Sequence, residues 1–124
     1  MNFLIVEDSE SMRAFISGAI ESGFDAAVTE TTNGFEALRA LAGKQFDAIV
    51  TDINMPDING LELLRYVREH PVYRRIPVVI ISTEIAEEDR RRGMKAGASA
   101  YLNKPFRPEQ LQEVLTGLLD QETV

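Results

Sequence analysis

Short apolar runs alternate with amphipathic segments along the whole chain. Phe3 to Val6 is the first run, and it stops abruptly on Glu7 and Asp8. Met12, Phe15, Ile16, Ala19 and Ile20 then recur at the spacing of one helix face, with Gly23 where a C-cap glycine belongs. Ala26–Thr31 is a weaker strand, and Asn33-Gly34 is a cap or turn. Phe35, Leu38 and Leu41 form a second helical stripe, which Gly43 closes. Phe46–Thr51 is the third strand. The segment from Asp52 to Gly60, with Pro56, Asp57 and Asn59, has loop composition.

Leu61, Leu64, Tyr66 and Val67 mark a helix that runs to Pro71. Val78–Ile81 is a strand of branched aliphatics. Residues 86–96 form a helix with acids first and bases last, the order that suits the helix dipole, and Gly97 caps it. Ala100–Asn103 is a short fifth strand. Pro108 sits where a first-turn proline is tolerated, before the stripe Leu111, Val114, Leu115, Leu118, Leu119.

The pattern is strand-helix repeated five times. Strands 1, 3 and 4 lack alternation, as strands covered on both faces do. Right-handed crossovers then predict an α/β fold, a doubly wound (βα)5 with a five-stranded parallel sheet. Such sheets bind ligands beyond the carboxyl ends of their strands. Those ends carry Glu7 and Asp8, then Asp52, then Ser82 and Thr83, then Lys104.

Length and composition narrow the class. The 124 residues suit a single domain over 1–124, with no second unit expected. A net charge of −7 argues against nucleic acid and anionic membranes as partners. The chain has no cysteine, which excludes disulfides and thiolate metal sites. No segment approaches the roughly 18 apolar residues of a membrane span, and the N-terminus has no signal-peptide pattern, so a cytoplasmic location is expected.

Carboxylates gathered at one edge repel one another. One like-charge pair at ~4 Å costs roughly 4 kcal/mol at an effective dielectric near 20. Protons or a hard divalent cation must compensate, and oxygen ligands without nearby His or Cys favour Mg²⁺. Mg²⁺ takes one or two carboxylates, which leaves an acid partly free to act as a nucleophile. With Lys104 and the Ser82 hydroxyl, the set makes a phosphoryl clamp around Asp52. The only histidine, His70, lies before Pro71 at the far end of a helix and reads as a surface residue.

The stretches VEDSESMR, VTDINMPDINGLELL, VVIIST and GASAYLNKPF resemble the receiver domain of two-component response regulators, in the stand-alone chemotaxis (CheY-like) form. The resemblance spans essentially the whole chain. It implies the flavodoxin-like strand order 2-1-3-4-5 and a phosphorylation-activated switch rather than a turnover enzyme. It implies Asp52 as phosphoacceptor, with Mg²⁺ held by Asp8, Asp52, the Asn54 backbone carbonyl and, usually through water, Glu7. Ser82 and Lys104 contact the phosphoryl group, Tyr101 is the aromatic switch partner of Ser82, and the Lys104–Pro105 bond is cis.

The partners implied are a histidine kinase or phosphotransfer domain and an unnamed downstream protein. The latter docks on the face of the fourth helix, fifth strand and fifth helix, and the chain is a monomer or weak dimer. Glu7, Thr83 and Asn103 depart from common family choices. Asn54 and Glu84 match the chemotaxis type and imply a comparatively labile phosphate, tempered by Thr83. Arg90–Arg92 reads as a solvated helix face or an acidic-partner patch, and Arg74 and Arg75 as solvated loop. Two other classes compete: a Mg²⁺-dependent phosphotransfer enzyme on nucleic acid, disfavoured by the acidic charge, and an unphosphorylated adaptor, disfavoured by the intact acid–Ser–Lys set.

Overall fold

A computed structural model describes residues 1–122 except 56 and 84–86, with the side chains of 121 and 122 also left aside. The elements are β1 (Asn2–Val6), α1 (Glu10–Gly23), β2 (Ala27–Thr31), α2 (Gly34–Gly43) and β3 (Ala48–Asp52). They continue as α3 (Gly60–Glu69), β4 (Val78–Ser82), α4 (Glu87–Lys95), β5 (Ala100–Asn103) and α5 (Pro108–Glu122). All strand pairs are parallel, in the order β2-β1-β3-β4-β5. Among the described residues, no helix is long and apolar enough to cross a membrane.

The missing alternation in the central strands has a direct cause. Leu4, Val6, Ile49, Val78 and Ile80 point into one core, with Leu41 of α2 and Leu63, Leu64 and Val67 of α3. Phe3, Ile5, Val50, Val79 and Ile81 point into the other, with Ile16 and Ile20 of α1 and Leu111 and Leu115 of α5. Both strand faces are therefore apolar. The edge strand β2, covered less fully, is the one whose pattern was weakest.

Several local expectations change. The third strand begins at Ala48, two residues later than its apolar run, and includes Asp52, which pairs with Ile81. Phe35 and Tyr66 have stripe spacing but are 56% and 42% exposed, and Ala37 and Leu63 hold the buried positions instead. Gly23 and Gly43 end their helices without left-handed φ, since Phe24 and Lys44 take over as extended C-caps. Gly23 serves packing: a Cβ there would lie 2.8 Å from the Gln112 side chain, whose amide donates to the Ala19 carbonyl at 2.8 Å. Gly97 does cap, with φ of 111°.

Candidate phosphoacceptor site

The four strand ends β1, β3, β4 and β5 converge because parallel strands end on one side. Glu7 follows β1 directly, and its N–H extends the ladder to the Thr31 carbonyl at 3.0 Å. Ser9 caps α1 by accepting from the Met12 N–H, and its own N–H donates to Glu7 Oε2 at 3.0 Å. The cap that starts the helix thus also orients an acid. Asp52 ends β3, and its Oδ1 accepts from the Ile53 N–H at 2.9 Å. The N-terminus of α3 presses close behind. Gly60 donates to the Ile53 carbonyl at 2.9 Å, and a Cβ on Gly60 would run into the Asp52 carbonyl oxygen.

Carboxylate oxygens of Glu7, Asp8 and Asp52 lie within 4.8 Å of one another. Glu7 and Asp52 are buried, and Asp8 is exposed. Lys104 Nζ stands between the buried two, 2.8 Å from Glu7 Oε1 and 3.5 Å from Asp52 Oδ1. Burial pushes both carboxyls above the ordinary range. For Glu7 the Lys104 and Ser9 hydrogen bonds oppose the shift, and the Asp52 charge adds to it. For Asp52 the Lys104 charge and the N–H groups of Ile53 and Asn54 oppose it. One ammonium among three carboxylates leaves a deficit of two charges when all are ionised. That deficit and the all-oxygen donor set fit a hard divalent cation.

Ser82 is fully buried at the end of β4, beside Asn103 in register, and the Lys104 N–H donates to the Ser82 carbonyl at 2.8 Å. Thr83, next along, is exposed. Asn54 is exposed, its N–H turned to the Asp52 carboxylate. The Lys104–Pro105 peptide is cis. Tyr101 is buried in the same core as Ile80, over Gly93, where a Cβ would lie 3.1 Å from its ring. Glu84 and Pro56 lie outside the described residues.

The residues expected to stand apart do so with differences. His70 is half-buried rather than simply solvated: it caps α3, stacks on Tyr73 at 4.1 Å and accepts from the Val72 N–H. Arg90 is not only a solvated base, since it donates to the Tyr101 carbonyl at 3.3 Å. Arg13 closes the VEDSESMR stretch, but no role was expected of it. Its guanidinium donates to the Glu7 carbonyl at 3.0 Å and the Asp8 carbonyl at 3.4 Å. The only signal was its place one turn after the Ser9 cap.

Comparison with known proteins now decides the family. The response regulator receiver domain model matches residues 3–116. The chain belongs to that family. This receiver domain is 36% identical over 120 residues to the chemotaxis protein CheY1 of Helicobacter pylori, covering 96% of this chain and 97% of that one. It is 35% identical to a CheY homolog of Campylobacter jejuni, over 96% and 92% of the two chains. It also matches a gliding motility regulatory protein of Myxococcus xanthus at 38%, covering 15% of that much longer protein.

Among solved structures, the chemotaxis response regulator CheY4 of Vibrio cholerae superposes with a TM-score of 0.87 at 33% identity, over 94% and 97% of the chains. The receiver domain of a sensor histidine kinase of Pseudomonas aeruginosa does so with 0.87 at 28%, over 96% and 97%, and its magnesium ion is coordinated in the active-site cleft. As a receiver domain, this chain is a signalling switch rather than a conventional enzyme.

Proposed function

We propose that this receiver domain accepts a phosphoryl group on Asp52 from a phosphohistidine of a histidine kinase or phosphotransfer domain. A carboxylate oxygen of Asp52 forms the new P–O bond as the P–N bond of the phosphoimidazole breaks, and the imidazole recovers a proton from water. Asp8, Asp52, the Asn54 carbonyl and Glu7 would hold Mg²⁺, which supplies charge neutralisation for the incoming anion. Lys104, freed from its bridge between Glu7 and Asp52, pairs with phosphoryl oxygens, and the Ser82 hydroxyl donates to another.

The observation that carries this reading is the placement of Lys104 between the buried carboxylates of Glu7 and Asp52, with Asp8 at the rim. It assembles nucleophile, cation and acid pair from three separate strand ends. Added charge of about −2 beside Ser82 then biases Tyr101 and the α4–β5–α5 face toward one of two arrangements. Output follows by protein contact on that face. The likeness to CheY proteins favours a chemotaxis-type role in the cytoplasm, and Asn54 with Glu84 favours a comparatively labile phosphate, tempered by Thr83. The test is beryllofluoride with Mg²⁺, read by NMR shifts at Tyr101 and by partner capture. Wild type should respond and Asp52→Asn should not; identical responses refute the proposal.

A further inference from the structure

We propose that Arg13 is a positioning residue for the acid pair Glu7–Asp8, and that it sets affinity for the divalent cation by fixing the backbone on which those acids stand. The inference rests on the magnesium reading above. The β1–β2 ladder ends at Val6↔Thr31, so the Glu7 and Asp8 carbonyls lie past its last pair. Arg13 reaches back from the first turn of α1 and donates to both with one nitrogen. Its Nε faces Glu30 Oε1 at 3.5 Å, on the edge strand β2. The planar fork therefore spans three pieces of chain: a helix, the acid-bearing turn and a neighbouring strand.

Charge and geometry make opposite predictions here. A cation beside a metal site weakens metal binding by repulsion, so deleting Arg13 for its charge alone should tighten it. A cation that holds the ligand-bearing turn in place strengthens binding, because misdirected carboxylates must be reordered when the metal arrives. Glu30 pairs with Arg13, and Glu36 on α2 also feels its charge. Two acids already compensate the guanidinium, which leaves the two carbonyl contacts as what the acid turn receives from it. Arg13 is also mostly buried, with 17% of its side-chain surface exposed, so the fork is held rather than waving in solvent.

The experiment titrates Mg²⁺ into metal-free wild type, Arg13→Gln, Arg13→Lys and Glu30→Gln by calorimetry, with amide NMR spectra of the metal-free proteins. Arg13→Gln should bind about five-fold more weakly, below the roughly 10–100-fold typical of groups that hydrogen-bond a ligand side chain, because this one acts through backbone. Its metal-free spectrum should shift or broaden at Glu7, Asp8 and Ser9 while the β4 amides stay put. Arg13→Lys keeps the charge but loses the fork and should recover only part of the affinity. Glu30→Gln, which frees the far end of the fork and also removes a compensating charge, should weaken binding about two-fold; Arg13→Lys, whose charge is unchanged, decides if Arg13→Gln does not fold. Equal or tighter binding by Arg13→Gln, full recovery by Arg13→Lys, or unchanged affinity in Glu30→Gln overturns the inference and leaves the magnesium reading standing. A wild type that binds no Mg²⁺ overturns both.

Discussion

Consider Asp52→Asn in the absence of a divalent cation. The substitution removes the proposed phosphoacceptor, yet it should stabilise the fold at pH 7.5. The Lys104 ammonium at 3.5 Å attracts the Asp52 charge by about 5 kcal/mol at an effective dielectric of 20. Glu7, within 4.8 Å, repels it by about 3.5 kcal/mol on the same scale. Asp8 adds a repulsion that exposure screens to about half that. Attraction and repulsion nearly cancel, so the cost of burying the charge decides the sign. Asparagine avoids that cost, and its side-chain oxygen still accepts from the Ile53 N–H.

The expected gain is about 1–2 kcal/mol, a rise in Tm of about 3–8 °C for a chain of this size. The pH dependence follows from the raised carboxyl of Asp52. A group whose pKa is higher in the folded than in the unfolded state stabilises the fold when protonated. That contribution is full below the unfolded value, about 3.9 for Asp, and is lost as pH rises through the folded one. The advantage of Asp52→Asn should therefore be greatest near neutrality and fade toward pH 4. Mg²⁺ at ten times its Kd should restore about 1.4 kcal/mol to the wild type and less to the variant. Calorimetric melts in EDTA and in Mg²⁺, at both pH values, test this. A variant that melts below wild type at pH 7.5 in EDTA, or an advantage that is unchanged at pH 4, refutes the reasoning.

Other substitutions probe the frame. Arg68 donates to the carbonyls of Gly97, Arg74 and Ile76 and to the Ser99 hydroxyl, tying α3 to the segments that lead into β4 and β5; Arg68→Ala should cost about 2–4 kcal/mol in urea melts. Gly60→Ala pushes a methyl into the Asp52 and Ile53 backbone, so it should lower Tm and slow phosphorylation together. Gly18→Ala, in an open helical position, should instead add about 0.5–1 kcal/mol. Asn59→Ala removes the capping box with Glu62 and should cost about 1 kcal/mol, measured by the same melts.

The periodicity alone dictated five strands and five helices, and runs such as Val78–Ile81 announced burial on both faces. Crossover handedness did the rest for the fold class, because covalent chirality leaves few ways to wind such a chain. The acids, Ser82 and Lys104 were legible for the same reason: parallel strands send their ends to one edge. Which residues touch was not legible. Lys104 meets Glu7 from 97 positions away, and no local pattern encodes a pairing that only the sheet order creates. Phe35 and Tyr66 had the right spacing and the wrong exposure, since a stripe says which side of a helix is apolar and not how far the neighbouring layer extends over it. Arg13 stood in the quoted VEDSESMR stretch without a role, because a helical arginine looks solvated until its side chain is seen to fold back on the nearby Glu7 and Asp8 carbonyls. Sequence thus determined the elements, which depend on near neighbours and chirality, while contact between distant segments, with the charge balance and burial it produces, belonged to the assembled fold.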